Sequence, residues 1–161
     1  MKRLLIVFLL LAAVTSVFSQ NLEFKEGLYY KKGMLFSGKN IEYYDNGKIL
    51  LEQSIKNGLV DGKMTLYFEN GNVQEIREYK DGKKDGTWIN WNENGMKTTE
   101  AGYKDDLKDG NWLVWDASGQ LLYEMHYALG KRTGTWRNWD ETGKLLMERE
   151  YSEVKSEESE K

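Results

Sequence analysis

From Gly38 to Tyr151 the chain repeats one pattern of apolar and polar positions five times. Each copy opens on a glycine (Gly38, Gly62, Gly86, Gly110, Gly134) and runs for 24 residues without insertion. Its sixth position is aromatic throughout: Tyr43, Tyr67, Trp91, Trp115, Trp139. Its tenth is glycine: Gly47, Gly71, Gly95, Gly119, Gly143. Its eighteenth is Ile55, Tyr79, Tyr103, Tyr127 and Tyr151. A fixed period of this kind marks stacked supersecondary units. Inside a copy, apolar and polar residues alternate over two stretches, the period of a strand and not of a helix. The stretches flank Asp45-Asn46-Gly47 and its counterparts, the hairpin-turn composition. A second turn, read as the looser one, carries Asn57-Gly58, Asp81-Gly82, Asp105-Asp106 and Leu129-Gly130. Strands joined by such short turns must be antiparallel. The predicted fold is all-β: an elongated single-domain meander of hairpins, with five full repeats (38–151) and a partial one (20–37) capping the first.

The alternation also predicts faces. A three-residue loop ending in a bulge glycine sets position 6 opposite 12 and position 4 opposite 14. Positions 4, 6, 12, 14, 16 and 18 then share one face, and most apolar residues lie on it. One row resists this scheme. Position 3 holds Asn40, Met64, Trp88, Trp112 and Trp136. It falls on the predicted polar face, so Trp88, Trp112 and Trp136 are expected to form a surface aromatic stripe, or both faces are partly covered.

The ends lie outside the repeat. Lys2 and Arg3 precede an apolar run from Leu4 to Val14 and a short stretch ending at Ser19. This is the pattern of a cleaved secretory signal peptide (1–19). Export to a periplasmic, cell-surface or secreted location is therefore expected. Ser152–Lys161 has one apolar residue and mixed charge, the composition of a disordered tail.

Composition narrows the function. The chain has no cysteine, so no disulfide can support it. Its formal net charge of −3 offers no basic field for nucleic acid. Loss of Lys2 and Arg3 with the signal peptide would bring that to −5. His126, the single histidine, stands where other copies have Ser, Glu or Gly, with no partner predicted beside it. Glu52, Glu100, Glu124 and Glu148 recur at position 15, in this register opposite position 3; a periodic row on an open sheet offers no cleft for a carboxylate pair. Asp-Gly turns such as Asp81-Gly82 have one carboxylate each, too few to cage calcium. No catalytic residue, metal site or cofactor is predicted. The Tyr67–Trp91–Trp115–Trp139 row reads as core. Tyr79, Tyr103, Tyr127 and Tyr151 read as structural, covering the starting glycines. The position-3 tryptophans are the candidate binding residues.

The unit G-x-W-x-x-W/Y-x-x-N-G-x-L-x-x-E-x-x-Y-x-x-G resembles the MORN-repeat variant family, commonly labelled in bacteria a YwqK-type antitoxin component. The residues that carry the likeness include Gly62, Tyr67, Asn70-Gly71, Tyr79 and Gly82. They continue with Gly86, Trp88, Trp91, Asn94-Gly95 and Tyr103, then Gly110, Trp112, Trp115, Gly119, Tyr127 and Gly130. The resemblance implies a non-catalytic scaffold or dimerisation module, and its label implies a toxin partner. Similar repeats precede the catalytic domain of plant phosphatidylinositol phosphate kinases, but no kinase phosphate loop or catalytic loop occurs here. The expected function is a non-enzymatic exported module binding another protein, with homodimerisation by strand-edge pairing. The alternative is a cell-wall or surface-glycan binder using the aromatic rows; a lesser one is association with a membrane surface.

Overall fold

The computed structural model describes residues 22–152; the segment expected to be a signal peptide and all but the first residue of the charged tail lie outside them. A three-stranded sheet comes first: β1 (Glu23–Lys25), β2 (Leu28–Lys31) and β3 (Met34–Leu35). An eleven-stranded antiparallel sheet follows in chain order. Its strands are β4 (Gly38–Tyr43), β5 (Ile49–Lys56), β6 (Leu59–Tyr67), β7 (Val73–Lys80), β8 (Lys83–Lys84) and β9 (Gly86–Trp91). They continue with β10 (Lys97–Lys104), β11 (Leu107–Trp115), β12 (Leu121–Ala128), β13 (Lys131–Trp139) and β14 (Leu145–Tyr151). Each strand pairs with its sequence neighbour, except that β7 pairs with both β8 and β9. The described residues form no helix. The all-β meander of hairpins is thus the observed architecture. The small sheet abuts the large one through the Tyr29 amide on the Gly58 carbonyl (2.8 Å) and the Gly58 amide on the Phe36 carbonyl (2.7 Å).

The first turn is the three-residue loop that the pattern predicts. In every copy the amide at position 7 reaches the carbonyl at position 11, as from Asn92 to Met96 (2.9 Å). The glycine amide at position 10 returns to the carbonyl at position 7, as from Gly95 to Asn92 (2.9 Å). Gly95 has φ +79°, the left-handed geometry that the closing bulge requires. The second turn is the tighter of the two, not the looser. Both of its residues have positive φ, for example Asp81 at +48° and Gly82 at +81°. That is a two-residue type I′ turn, whose twist matches the flanking strands.

The predicted faces need correction. Position 6 does oppose 12, as Trp91 opposes Lys97, but position 4 opposes 15, as Ile89 opposes Glu100. Each hairpin carries one further bulge, at position 13: Leu50, Gln74, Thr98, Leu122 and Leu146 have no cross-strand partner there. One extra residue moves every later side chain of that strand to the opposite face. Position 18 therefore leaves the face of position 6 and joins position 3. The row that resisted the predicted scheme belongs with the tyrosines.

Among the described residues no second layer covers this sheet and no side chain is fully buried. The buried apolar residues are Leu51, Ile55, Ala101 and Trp136, joined by polar Asn40, Gln53 and Thr65. The sheet must therefore draw its stability from contacts within each face.

Candidate binding face

The face bearing positions 3 and 18 holds one continuous line of rings: Tyr79, Trp88, Tyr103, Trp112, Tyr127, Trp136 and Tyr151. Successive centroids lie 4.8 to 5.8 Å apart, tilted or edge-on. Each such contact contributes about 0.5–1.5 kcal/mol beyond area burial. Each indole also donates to the backbone: Trp112 Nε1 to the Gly102 carbonyl (2.9 Å) and Trp136 Nε1 to the His126 carbonyl (3.0 Å). Those carbonyls lie where the register slips again, opposite the starting glycine of the next copy. The tryptophans thus occupy acceptors that the ladder leaves free. Gly102 belongs to the same junction: a Cβ on it would meet the Asp109 carbonyl oxygen at 1.9 Å, so no larger residue fits.

The expected exposed stripe is therefore not free-standing. Trp88 and Trp112 are half-buried and Trp136 is buried, at 9% exposure. Above the rings lies a row of cations. Lys84 Nζ sits 4.8 Å from the Trp88 centroid and 5.0 Å from that of Tyr103. Lys108 Nζ sits 4.0 Å from Trp112 and 4.8 Å from Tyr127. The Arg132 guanidinium sits 4.8 Å from Trp136 and 5.6 Å from Tyr151. Arg149 lies over Tyr151 as well, at 5.0 Å. Arg77, over Trp88 at 4.8 Å, closes the row and is neutralised by Glu75 at 2.6 Å. Among the described residues, none of Lys84, Lys108, Arg132 and Arg149 has a carboxylate partner.

Turn bonds hold the backbone at two of these cations. The carbonyl of Lys84 accepts from the Asp106 amide (2.9 Å), and that of Lys108 from the Gly130 amide (2.7 Å). In three copies the side chain before the starting glycine caps the following type I′ turn. Ser37 takes the Asn57 amide (2.8 Å), Asp61 that of Asp81 (3.0 Å) and Asp109 that of Leu129 (3.0 Å). Asp61 and Asp109 are thus turn caps, and Asp81-Gly82 is a turn itself. Sequence reasoning overlooked the cations. Their signal was a basic residue two positions before Gly86, Gly110 and Gly134, where the first two copies have Phe36 and Val60.

The opposite face carries Tyr43, Tyr67, Trp91, Trp115 and Trp139. It does not form the expected core: Tyr43 is exposed and the others are half-buried. The glutamate row lies on this face beside position 4, not position 3. Glu52 is flanked by Ile41 and Thr65, and Glu124 by Leu113 and Arg137. These carboxylates are engaged. Glu52 accepts from Tyr67 (3.1 Å), Glu100 from Lys97 (2.7 Å), and Arg137 bridges Glu124 (3.1 Å) and Glu148 (2.7 Å). Burial, then the Glu52 contact, holds the Tyr67 phenol above its ordinary range. His126 meets Asn111 at 2.9 Å and Glu124 at 3.7 Å. Among the described residues no group of three or more His, Asp or Glu side chains gathers to hold a metal ion.

The model of the MORN repeat variant matches residues 36–57, 60–81, 108–128 and 132–153. The chain belongs to the MORN repeat variant family. The MORN unit between the matched segments, opening at Gly86, closes with the same turn bonds as its neighbours, although Asp106 stands where their second turn has glycine. No curated protein matches the chain.

Proposed function

We propose that this MORN repeat protein is an exported, non-enzymatic binding module whose working surface is the cation–aromatic face of its last three copies. One observation carries the reading. From Lys84 to Tyr151 the strand positions on that face hold no Asp or Glu, in a chain whose acidic residues outnumber its basic ones, 26 to 23. Unpaired cations held over rings on an otherwise acidic protein serve recognition better than stability, since an exposed cation–π contact contributes only about 0.5–1 kcal/mol. The test is sedimentation with native cell envelope. The native chain is expected to sediment and to be released by salt. The variant Lys84→Glu/Lys108→Glu/Arg132→Glu should stay in solution. Equal sedimentation of the two would move the working surface elsewhere.

A second reading concerns the end of the sheet and rests on β14. Leu145, Leu146 and Met147 are 45%, 59% and 44% exposed on this edge strand. An apolar edge with open backbone groups is a template for another strand. A second copy of the chain, or a protein partner such as the toxin that the family label implies, would add there.

A further inference from the structure

Resting on that reading, we propose that the row Lys84–Lys108–Arg132 takes a linear glycan bearing one anionic group per disaccharide, laid across the strands. The three cations occupy the same position in successive copies. Successive copies are offset by two strand spacings, about 10 Å. That is the length of a disaccharide in an extended glycan chain. Other polyanions are out of step with the row. Alternate side chains of an extended acidic peptide repeat at about 7 Å. Duplex nucleic acid spaces phosphates at about 3.4 Å along each strand. A membrane presents a plane of charge, whereas the row is one residue wide; beside it on the same face lie Asn90, Thr99, Val114 and Asn138 and the exposed Tyr123 and Met147.

The arrangement is also prepared for an anion. Rings on two sides hold each ammonium or guanidinium, so little side-chain freedom is lost when the anion arrives. No carboxylate of the described residues must be displaced. The fold does not demand these residues. The first two copies fill equivalent positions with Phe36 and Val60, Asn40 and Met64, and Ile55, on the same register. The change from Val60 to Lys84, and from Ile55 to Tyr79, converts an apolar seam into a charged one.

The probe is a hyaluronan decasaccharide, which alternates glucuronate and N-acetylglucosamine. Its binding to the full chain is followed by tryptophan fluorescence, beside a neutral chitin oligosaccharide, polyglutamate and phosphatidylglycerol vesicles. The decasaccharide should bind, weaken with salt, and bind roughly tenfold less tightly to Lys84→Gln/Lys108→Gln/Arg132→Gln. The control Lys39→Gln/Lys63→Gln/Lys97→Gln, on the glutamate face, should bind like the native chain. A measurement without variants guards against misfolding: affinity should climb from one disaccharide to three, as successive cations are engaged. No binding, equal binding by the neutral oligosaccharide, tighter binding by polyglutamate or vesicles, equal loss in the control, or affinity independent of length would each overturn the proposal. Envelope sedimentation separates the two ideas. If it depends on the cations while the decasaccharide fails, the face stands and this ligand class falls.

Discussion

Gln53 and Leu129 show how single side chains deviate from an otherwise consistent repeat. Gln53 is 3% exposed, and its Nε2 has no partner among the described residues, between Asn40 and Met64 on the neighbouring strands. A buried donor without an acceptor costs about 1–3 kcal/mol. The fourth copy places Met125 at the same position. Gln53→Met should therefore raise stability by about 1 kcal/mol in denaturant titration, through removal of an unpaired polar group at nearly constant volume. Leu129 is 60% exposed and has φ +46°, where other copies place Asn57, Asp81 or Asp105. A leucine in the left-handed region is strained, and its side chain makes little return by burial. Leu129→Asn should add about 1 kcal/mol while keeping the backbone bond to Asp109, and should raise the thermal midpoint.

Hairpin loops are closed by carboxylates in the last two copies. Asp116 accepts from the Ser118 amide and hydroxyl and from the Gln120 amide; Asp140 does the same with Thr142 and Lys144. The hydroxyl contact first, then the backbone amides, holds each carboxyl below its ordinary range. The folded form therefore favours the ionised carboxylate. This contribution is complete above the unfolded value of about 4 and is lost as pH falls through the lower, folded value. NMR titration should show Asp116 and Asp140 among the last carboxyls to protonate, and Ser118→Ala should move Asp116 alone back toward its ordinary value. The loops themselves were legible, because Asn-Gly and Ser-Gly name their own geometry. The position-13 bulge was not. Its trace was the adjacent pair Ile49-Leu50, Leu121-Leu122 or Leu145-Leu146, where alternation fails for one step. Gln74 and Thr98 hide that trace in the second and third copies.

Across the whole molecule, stacking is one-dimensional. Each copy contacts the next through turn bonds along one edge, and from the second copy onward through ring contacts along one face, so the interior copies support each other while the last has only one neighbour. The exposed apolar residues of β14 lie at this end. If a second copy pairs there, light scattering after size exclusion should show a dimer at high concentration, and Leu146→Lys should return it to monomer with little change in the thermal midpoint of the monomer. A monomer at every concentration would remove this edge from consideration.

The 24-residue period, the composition of both turns and the strand alternation determined the fold class, the antiparallel meander and the three-residue loop, because these depend on local backbone chemistry that each copy states for itself. Which side chains share a face was decided only in the folded sheet. The bulge at position 13 is set by cross-strand pairing, and it reverses the face of every residue after it. For that reason Trp88 and Tyr103, assigned to opposite faces from alternation alone, meet at 4.8 Å. The cation row over them emerges from the same reversal.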